Sequence, residues 1–430
     1  MGKFTKTLCI SERKEYSIME GPIITVDVSK GSCHYQPFIE NGHPMRKPKQ
    51  LSATNDGFQK LGQTIKDLEA KTEREDIPVI FEATGVYHRP LQKYLEDHKI
   101  RYYIISPLLS ATYRKTDLHS NKTDALDCAH IAKAYYCEKE LRQYQAQPQE
   151  YKRLYQLSRL YESELVHLRK RKVSLRSMLD IIYPRIDKTF KGNQNLYDPI
   201  PMEILKRYPH PSLLLSHRED TIVKTVGHGK GHLKGYTERI VHKIYEKAKE
   251  CYSGCDIDDI EVVKLPTMIE NVQEQKKKCD SLLKEMIEIA RTCPYFTSIV
   301  SIVGIGENLA ARIIAELGDV NRFDNRAAIV AYAGLNPKIQ QSGDIDGLHL
   351  KISKKGNKHL RCLLYLGAQC NYRLRKEDPL YEFTKKKRQQ TQCPLSSKAA
   401  YTASAHKLLV IIYSLCSFQT YLQFVKYDSN

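Results

Sequence analysis

The sequence predicts an α/β domain at its start, a long helical region after it and a mostly helical domain at its end. Three observations carry this. Short β-branched runs alternate with helix-period stretches up to about residue 136, and apolar residues recur near heptad spacing from Tyr151 to Ile182. The last third reads as helices broken by Gly-containing turns. At 430 residues the chain is long enough for two or three domains, with boundaries placed at 1–147, 148–292 and 293–430.

Pro22-Ile23-Ile24-Thr25-Val26-Asp27-Val28 is long enough for one buried strand. Lys30-Gly31-Ser32 gives a turn, and Cys33 to Ile39 returns as an antiparallel partner. A polar stretch rich in Pro and Lys follows, then a helix from Asp56 to Glu69 with Phe58, Leu61, Ile65 and Leu68 at helical spacing. Pro78-Val79-Ile80-Phe81-Glu82 is a second buried strand, ended by Ala83-Thr84-Gly85. The helix Tyr87 to Asp97, the strand Arg101 to Ile105 and a helix from Lys122 to Tyr136 complete a mixed sheet covered on both faces.

From Tyr151 the stripe Leu154, Leu157, Tyr161, Leu165, Leu168, Leu175, Leu179 and Ile182 predicts a long helix that Pro184 ends. A second is expected from about Val262 to Thr292, and together they suggest a coiled-coil arm for self-association. Ser301 to Gly318 reads as a helix-hairpin-helix, where Gly304 and Gly306 permit a tight backbone and the next helix's free N–H groups can accept a phosphate. An ordinary helical hairpin packed on core fits the same residues. Asp324-Asn325-Arg326 starts another helix, ending near Gly334.

Formal net charge is +18, and a protein so basic tends to find polyanions, of which nucleic acid is the commonest large one. Met1 to Lys6 has no apolar core, Lys6 stands where a myristoylation signal prefers Ser or Thr, and the apolar run Leu408 to Tyr413 is too short to span a bilayer. No membrane partner is therefore expected. Twelve cysteines without a framework read as reduced thiols in a cytoplasmic protein.

Asp124 and Asp127 stand three apart at a helix start, on one face, where they suit either a favoured first turn or half of a divalent-metal site. Asp27 lies inside its apolar strand and Glu82 at the end of another, where α/β sheets gather ligands. A surface-facing alternate position remains open for Asp27. Four converging carboxylates would repel one another unless they hold cations, and two Mg²⁺ ions could then clamp a phosphodiester.

Val26-Asp27-Val28-Ser29-Lys30, Phe81-Glu82-Ala83-Thr84-Gly85-Val86-Tyr87 and Lys122-Thr123-Asp124-Ala125-Leu126-Asp127 together resemble the DEDD insertion-sequence transposases. That resemblance implies a ribonuclease-H fold in its RuvC-like form. Asp27, Glu82, Asp124 and Asp127 are then the catalytic metal-holding acids, with Lys30 and Lys122 beside nucleic acid. Thr25 and Cys128 depart from the residues frequent there, Gly and Ala, and neither departure replaces a carboxylate.

His228 and His232, with Cys251 and Cys255, offer four ligands for zinc, but the Cys spacing is wider than a zinc knuckle's. The Gly-rich basic loop holding the two histidines fits a phosphate-contacting turn better. Further on, Gln341-Ser342-Gly343 is followed by Lys351, Lys354, Lys355, Lys358 and Arg361, a cluster suited to a phosphate backbone. No local His/Asp pair activates Ser342.

The hairpin, the Gln341-Ser342-Gly343 step and Lys354-Lys355-Gly356-Asn357 with Leu360-Arg361 are similar to the C-terminal domain of the same family. The resemblance implies that Ser342 is a nucleophile forming a covalent phosphoserine link to DNA. It also implies a structured bridge RNA as guide, dimers paired into a tetramer, composite sites joining one subunit's acids to another's serine, and a bacterial host. Two other functions fit the residues: a junction-resolving nuclease with water as nucleophile, and a non-enzymatic basic RNA- or DNA-binding protein.

Overall fold

The computed structural model describes residues 20–30, 33–83, 85–105, 109–110, 112–113, 124–137, 147–190, 195–227, 234–337, 352–391 and 393–418. The chain forms two units, Met1–Ala146 and Gln147–Asn430. The first holds a six-stranded mixed sheet and the second is mostly helical.

In the first unit, β1 (Ile23–Val28) pairs antiparallel with β2 (Cys33–Glu40) and parallel with β5 (Val79–Glu82), which pairs parallel with β6 (Tyr102–Ile105). The Pro- and Lys-rich stretch, expected only as a polar connection, forms two short strands. These are β3 (His43–Pro44) and β4 (Lys49–Leu51), and both pair with β2. Their weak pattern explains the omission, since both are mostly exposed.

Among the described residues, α1 (Asn55–Thr72), α2 (Arg89–Asp97) and α3 (Asp124–Cys137) cover the sheet. Thr54 caps α1 by accepting from Gly57 N at 3.2 Å. The pleat sends alternate side chains to opposite faces. Ile24, Val26, Val28, Val79 and Phe81 pack with Leu61, Leu68 and Leu91 of α1 and α2. Ile23, Ile80 and Ile105 pack with Ile131, Ala132 and Tyr135 of α3.

The second unit is built on two long helices, α4 (Gln149–Ile182) and α9 (Ile260–Arg291). They run antiparallel: Arg153 pairs with Glu285 at 2.7 Å, Glu164 meets Gln275 and Lys278, and Arg171 donates to Asn271. Leu154, Tyr161, Leu168, Leu175 and Ile182 bury one stripe at seven-residue intervals, in one core with Leu265, Ile269, Val272 and Cys279. The heptad seam is thus packed within the chain, where the sequence suggested a coiled-coil arm for self-association.

Between the long helices lie α5 (Pro199–Arg207), α6 (Pro211–Leu215), α7 (Glu219–Gly227) and α8 (Lys234–Glu250), a segment whose pattern alone was indecisive. After α9 come α10 (Phe296–Val300), α11 (Glu307–Leu317), α12 (Arg326–Ala333), α13 (Lys358–Leu374), α14 (Pro379–Gln389) and α15 (Ser397–Phe418). The last is longer than its six-residue apolar run implied. By length and composition it is the one helix among the described residues able to cross a membrane. Here Ala405, Leu408, Leu409 and Ile412 are buried in the helical core instead.

Candidate active site

The alternation within β1 decides where Asp27 faces. Val26 and Val28 belong to the α1–α2 side, so Asp27 shares the parity of Ile23 and faces the side that α3 covers. The same parity in β5, with Ile80 towards α3 and Phe81 away, sends Glu82 to that face as well. Val26 sits opposite Phe81 in parallel register, so Asp27 and Glu82 fall at the next step of neighbouring strands, at their carboxyl ends. On α3, Asp127 lies one turn before the sheet-packed Ile131.

Cys128 ties this geometry together. Its thiol donates to His34 O at 3.5 Å and is fully buried. Burial, with a smaller contribution from the charges of Asp27 and Asp127, pushes its pKa up to about 12. Both carboxylates are therefore near one sulfur atom. Glu82 and Asp127 are buried, at 8% and 9% exposure, and Asp27 is half-buried. Ser110 Oγ, itself buried, donates to Glu82 Oε2 at 2.6 Å.

Asp124 opens α3, but its side chain lies outside the described residues, as does Lys122. Lys30 is exposed just past the carboxyl end of β1. Sequence reasoning missed Ser110, which no spacing singles out. It also missed His34, the direct cross-strand partner of Asp27, which only the register reveals.

These donors are carboxylate oxygens brought to one buried strand-end, a set that fits a hard divalent cation.

In the helical unit, Ser342 and Lys351 lie outside the described residues, but the chain on either side of them is closed by a ladder. Pro337 and Ile352 form an antiparallel bridge, Ser353 N donates to Asn336 O at 2.8 Å, and Lys354 N donates to Gly334 O at 3.1 Å. Asn357 N donates to Tyr332 O at 2.7 Å, while Asn357 Oδ1 caps α13. Its Nδ2 reaches the buried Glu316 Oε2 at 2.9 Å, and Glu316 also holds Arg159. Gly356 is obligatory here: at φ +153°, a Cβ would stand 2.4 Å from Tyr332 O.

Lys354, Lys355 and Lys358 are exposed beside this closure. Arg361 uses one guanidinium N–H on Ala333 O at 2.8 Å, at the carboxyl end of α12. Gly304 and Gly306 differ sharply. Gly304, at φ +89°, packs against the backbone of α13, whereas Gly306 is exposed at the start of α11 with open space around it.

His228 and His232 lie outside the described residues. Cys251 and Cys255 are half-buried, and Cys255 is held locally by Ser253 and His210. Among the described residues, the one cluster with metal-ligand spacing is Glu219, His242 and Glu246, which excludes both cysteines.

A family model for DEDD transposases of the IS110 type, described as "Transposase", matches residues 24–184, the span that contains all four acids. A second, described as "Transposase IS116/IS110/IS902 family", matches residues 297–382 and includes the serine segment. The chain belongs to the IS116/IS110/IS902 transposase family. An IS110 insertion-element protein of Streptomyces coelicolor is 27% identical over 169 residues, which is 38% of this chain and 40% of the relative. A putative transposase of Sinorhizobium fredii, y4rJ, is 36% identical over 115 residues, 27% of this chain and 28% of that protein. The transposase for insertion sequence element IS1111A of Coxiella burnetii is 35% identical over 86 residues, 20% of this chain and 23% of its own length. Each match thus spans less than half of the relative's length. Within this IS110-type chain, the first family segment covers the sheet and runs on into α4, and the second lies wholly among the helices.

Proposed function

We propose that this protein is a DNA transposase whose sheet unit, in a RuvC-like ribonuclease-H arrangement, holds Mg²⁺ through Asp27, Glu82, Asp124 and Asp127. The observation that carries it is the convergence of Asp27, Glu82 and Asp127 on the α3-covered face at the carboxyl ends of parallel strands. An antiparallel meander grading into parallel strands supports the fold assignment. When bound, the metal supplies Lewis-acid stabilisation of phosphorane charge. Ser110 orients the Glu82 carboxylate through its hydrogen bond, and burial by α3 limits water around Glu82 and Asp127.

Ser342 is the nucleophile: its Oγ loses its proton and bonds to the scissile phosphorus as the bridging sugar oxygen leaves and takes up a proton, giving a phosphoserine link and a free sugar hydroxyl. The ladder between 332–337 and 352–357 supports this role by fixing both ends of the segment that carries it. DNA is the substrate, a structured guide RNA the second partner, and a dimer pairing into a tetramer the working assembly. Gly306, Lys354, Lys355 and Lys358, exposed in the helical unit, are the proposed backbone contacts there.

Trapping on a denaturing gel tests the chemistry. Ser342→Ala is expected to lose the covalent protein–DNA adduct while still binding DNA. An adduct that survives would remove Ser342 as nucleophile, and cleavage without any adduct in wild type would favour the water-dependent nuclease. Sequencing of co-purifying nucleic acid tests the guide: a discrete structured RNA is expected, and its absence from active protein would sink RNA guidance.

A further inference from the structure

We infer that α14, flanked by α13 and α15, is a second nucleic-acid contact surface that grips phosphodiester backbone without reading bases. It rests on the nucleic-acid reading above but uses none of the residues assigned there. Between residues 373 and 407 the chain carries nine Lys and Arg against three acids. Two of those acids are already engaged. Asp378 caps α14, accepting from Leu380 N at 2.7 Å and Tyr381 N at 3.1 Å, and it also takes Asn371 Nδ2 at 2.7 Å. Glu382 lies 3.8 Å from Lys385. Among the described residues, no carboxylate is within ion-pair distance of Lys386, Lys387 or Arg388.

The buried edge of α14 is Leu380 and Thr384, so the run Lys385-Lys386-Lys387-Arg388 wraps cations around both flanks and the outer side of the helix. Aromatic rings hold several of these cations in place. Arg388 lies 5.0 Å from the centroid of Tyr372 on α13, and Lys385 lies 5.8 Å from that of Tyr381. Lys387 and, from α15, Lys407 sit 5.8 and 5.9 Å from Phe383.

The rings are also occupied with one another. Tyr372 stacks on Tyr381 at 5.4 Å and meets Tyr401 of α15 edge-on at 5.8 Å. That distinction decides the kind of partner. A single-strand site offers free ring faces for bases to stack on. Here the faces orient cations, so the surface presents fixed positive charge to phosphates, which positions a nucleic acid without specifying its sequence.

The test uses full-length protein and fluorescence anisotropy over a series of salt concentrations. The probes are a ~30-bp DNA duplex, a scrambled duplex of equal composition and an RNA duplex of the first sequence. The variant carries Lys385→Gln, Lys386→Gln, Lys387→Gln and Arg388→Gln. Its log K against log salt slope should fall by about 2 or more, at ~0.9 for each phosphate no longer neutralised. The loss should be equal on both DNA sequences, and a loss larger on DNA or on RNA names the backbone this surface holds.

A control removes the same number of charges from exposed α9 positions, Lys264, Lys276, Lys277 and Lys284, each to Gln. It should leave the slope nearly unchanged. Equal slopes for the α14 variant and wild type, equal effects of variant and control, or a loss confined to one DNA sequence would each overturn the inference. Should the quadruple variant misfold, Lys386→Glu is the fallback, because Lys386 lies away from the buried edge of α14. Wild-type protein that binds no duplex even at low salt would instead bring down the nucleic-acid reading itself.

Discussion

Gly304→Ala isolates what the glycine pair between α10 and α11 does. At Gly304 the backbone has φ +89°, and an added Cβ would lie 2.5 Å from Asn371 N, 2.7 Å from Asn371 Cα and 3.0 Å from Cys370 C. Those atoms are the main chain of α13, so no rotamer change relieves the clash. The left-handed conformation costs an L-residue ~1–2 kcal/mol, and forcing extra volume into packed core costs ~1–3 kcal/mol. Together they predict a loss of about 2–5 kcal/mol. Asn371 Nδ2 also donates to Val303 O at 3.0 Å, so any shift of α13 strains that bond too. Gly306→Ala is the matched control, with φ −87° and nothing within 4 Å, and should change stability by no more than ~1 kcal/mol. Urea midpoints of both variants check this. A Gly304→Ala protein within ~0.5 kcal/mol of wild type would refute the close approach of the hairpin to α13.

Glu316→Ala leaves the Arg159 guanidinium and Asn357 Nδ2 without their buried acceptor, and should cost ~3–5 kcal/mol in chemical denaturation. A variant as stable as wild type would mean that the network is not formed. Glu164, bonded to Lys278 and Gln275 and near His167, has its pKa lowered from the ordinary 4.5 to about 2. A depressed folded value means stability that is present above pH ~4.5 and lost as pH falls through about 2. Urea midpoints taken down that range should fall for wild type and flatten in Glu164→Gln. Asp127→Asn removes one of the like charges beside Cys128. In chelator-treated protein it should not lower stability, and it should blunt any rise in thermal midpoint when Mg²⁺ is added. An unchanged Mg²⁺-dependent rise would remove Asp127 from the metal set.

Period and length made the sheet unit legible, because each of its main strands is a β-branched run bounded by turn residues and each helix has a clear apolar face. What stayed hidden in the sequence followed from pairing. His34 is ordinary until the register sets it opposite Asp27, and β3 and β4 exist because β2 offers them an edge, not because of their own composition. The open question about Asp27 had the same origin. Period-2 alternation gave its parity with Ile23, but only the packing of Ile23 against α3 showed that a helix covers that face too. In the helical unit, the heptad stripe announced a partner helix without saying which, and α9 of the same chain supplies it. Gly304 and Gly306 look alike in the sequence, yet one meets a helix backbone and the other faces open space.

The two units treat buried acids in opposite ways, and the contrast separates stability from function. In the helical unit, Glu164 is matched by Lys278 and Glu316 by Arg159, so each buried charge closes a packed contact between helices. At the strand ends, Asp27 and Asp127 are instead gathered around one buried thiol, with Glu82 on the same face. Nothing in sheet packing requires that. An apolar residue at Asp127 would continue the face that Ile131 and Tyr135 already bury, and would avoid the cost of desolvating a carboxylate. On the reading proposed above, the acids at the carboxyl ends of the parallel strands serve a bound cation and the phosphate it engages, which is a different use of a buried carboxylate from closing a helix contact.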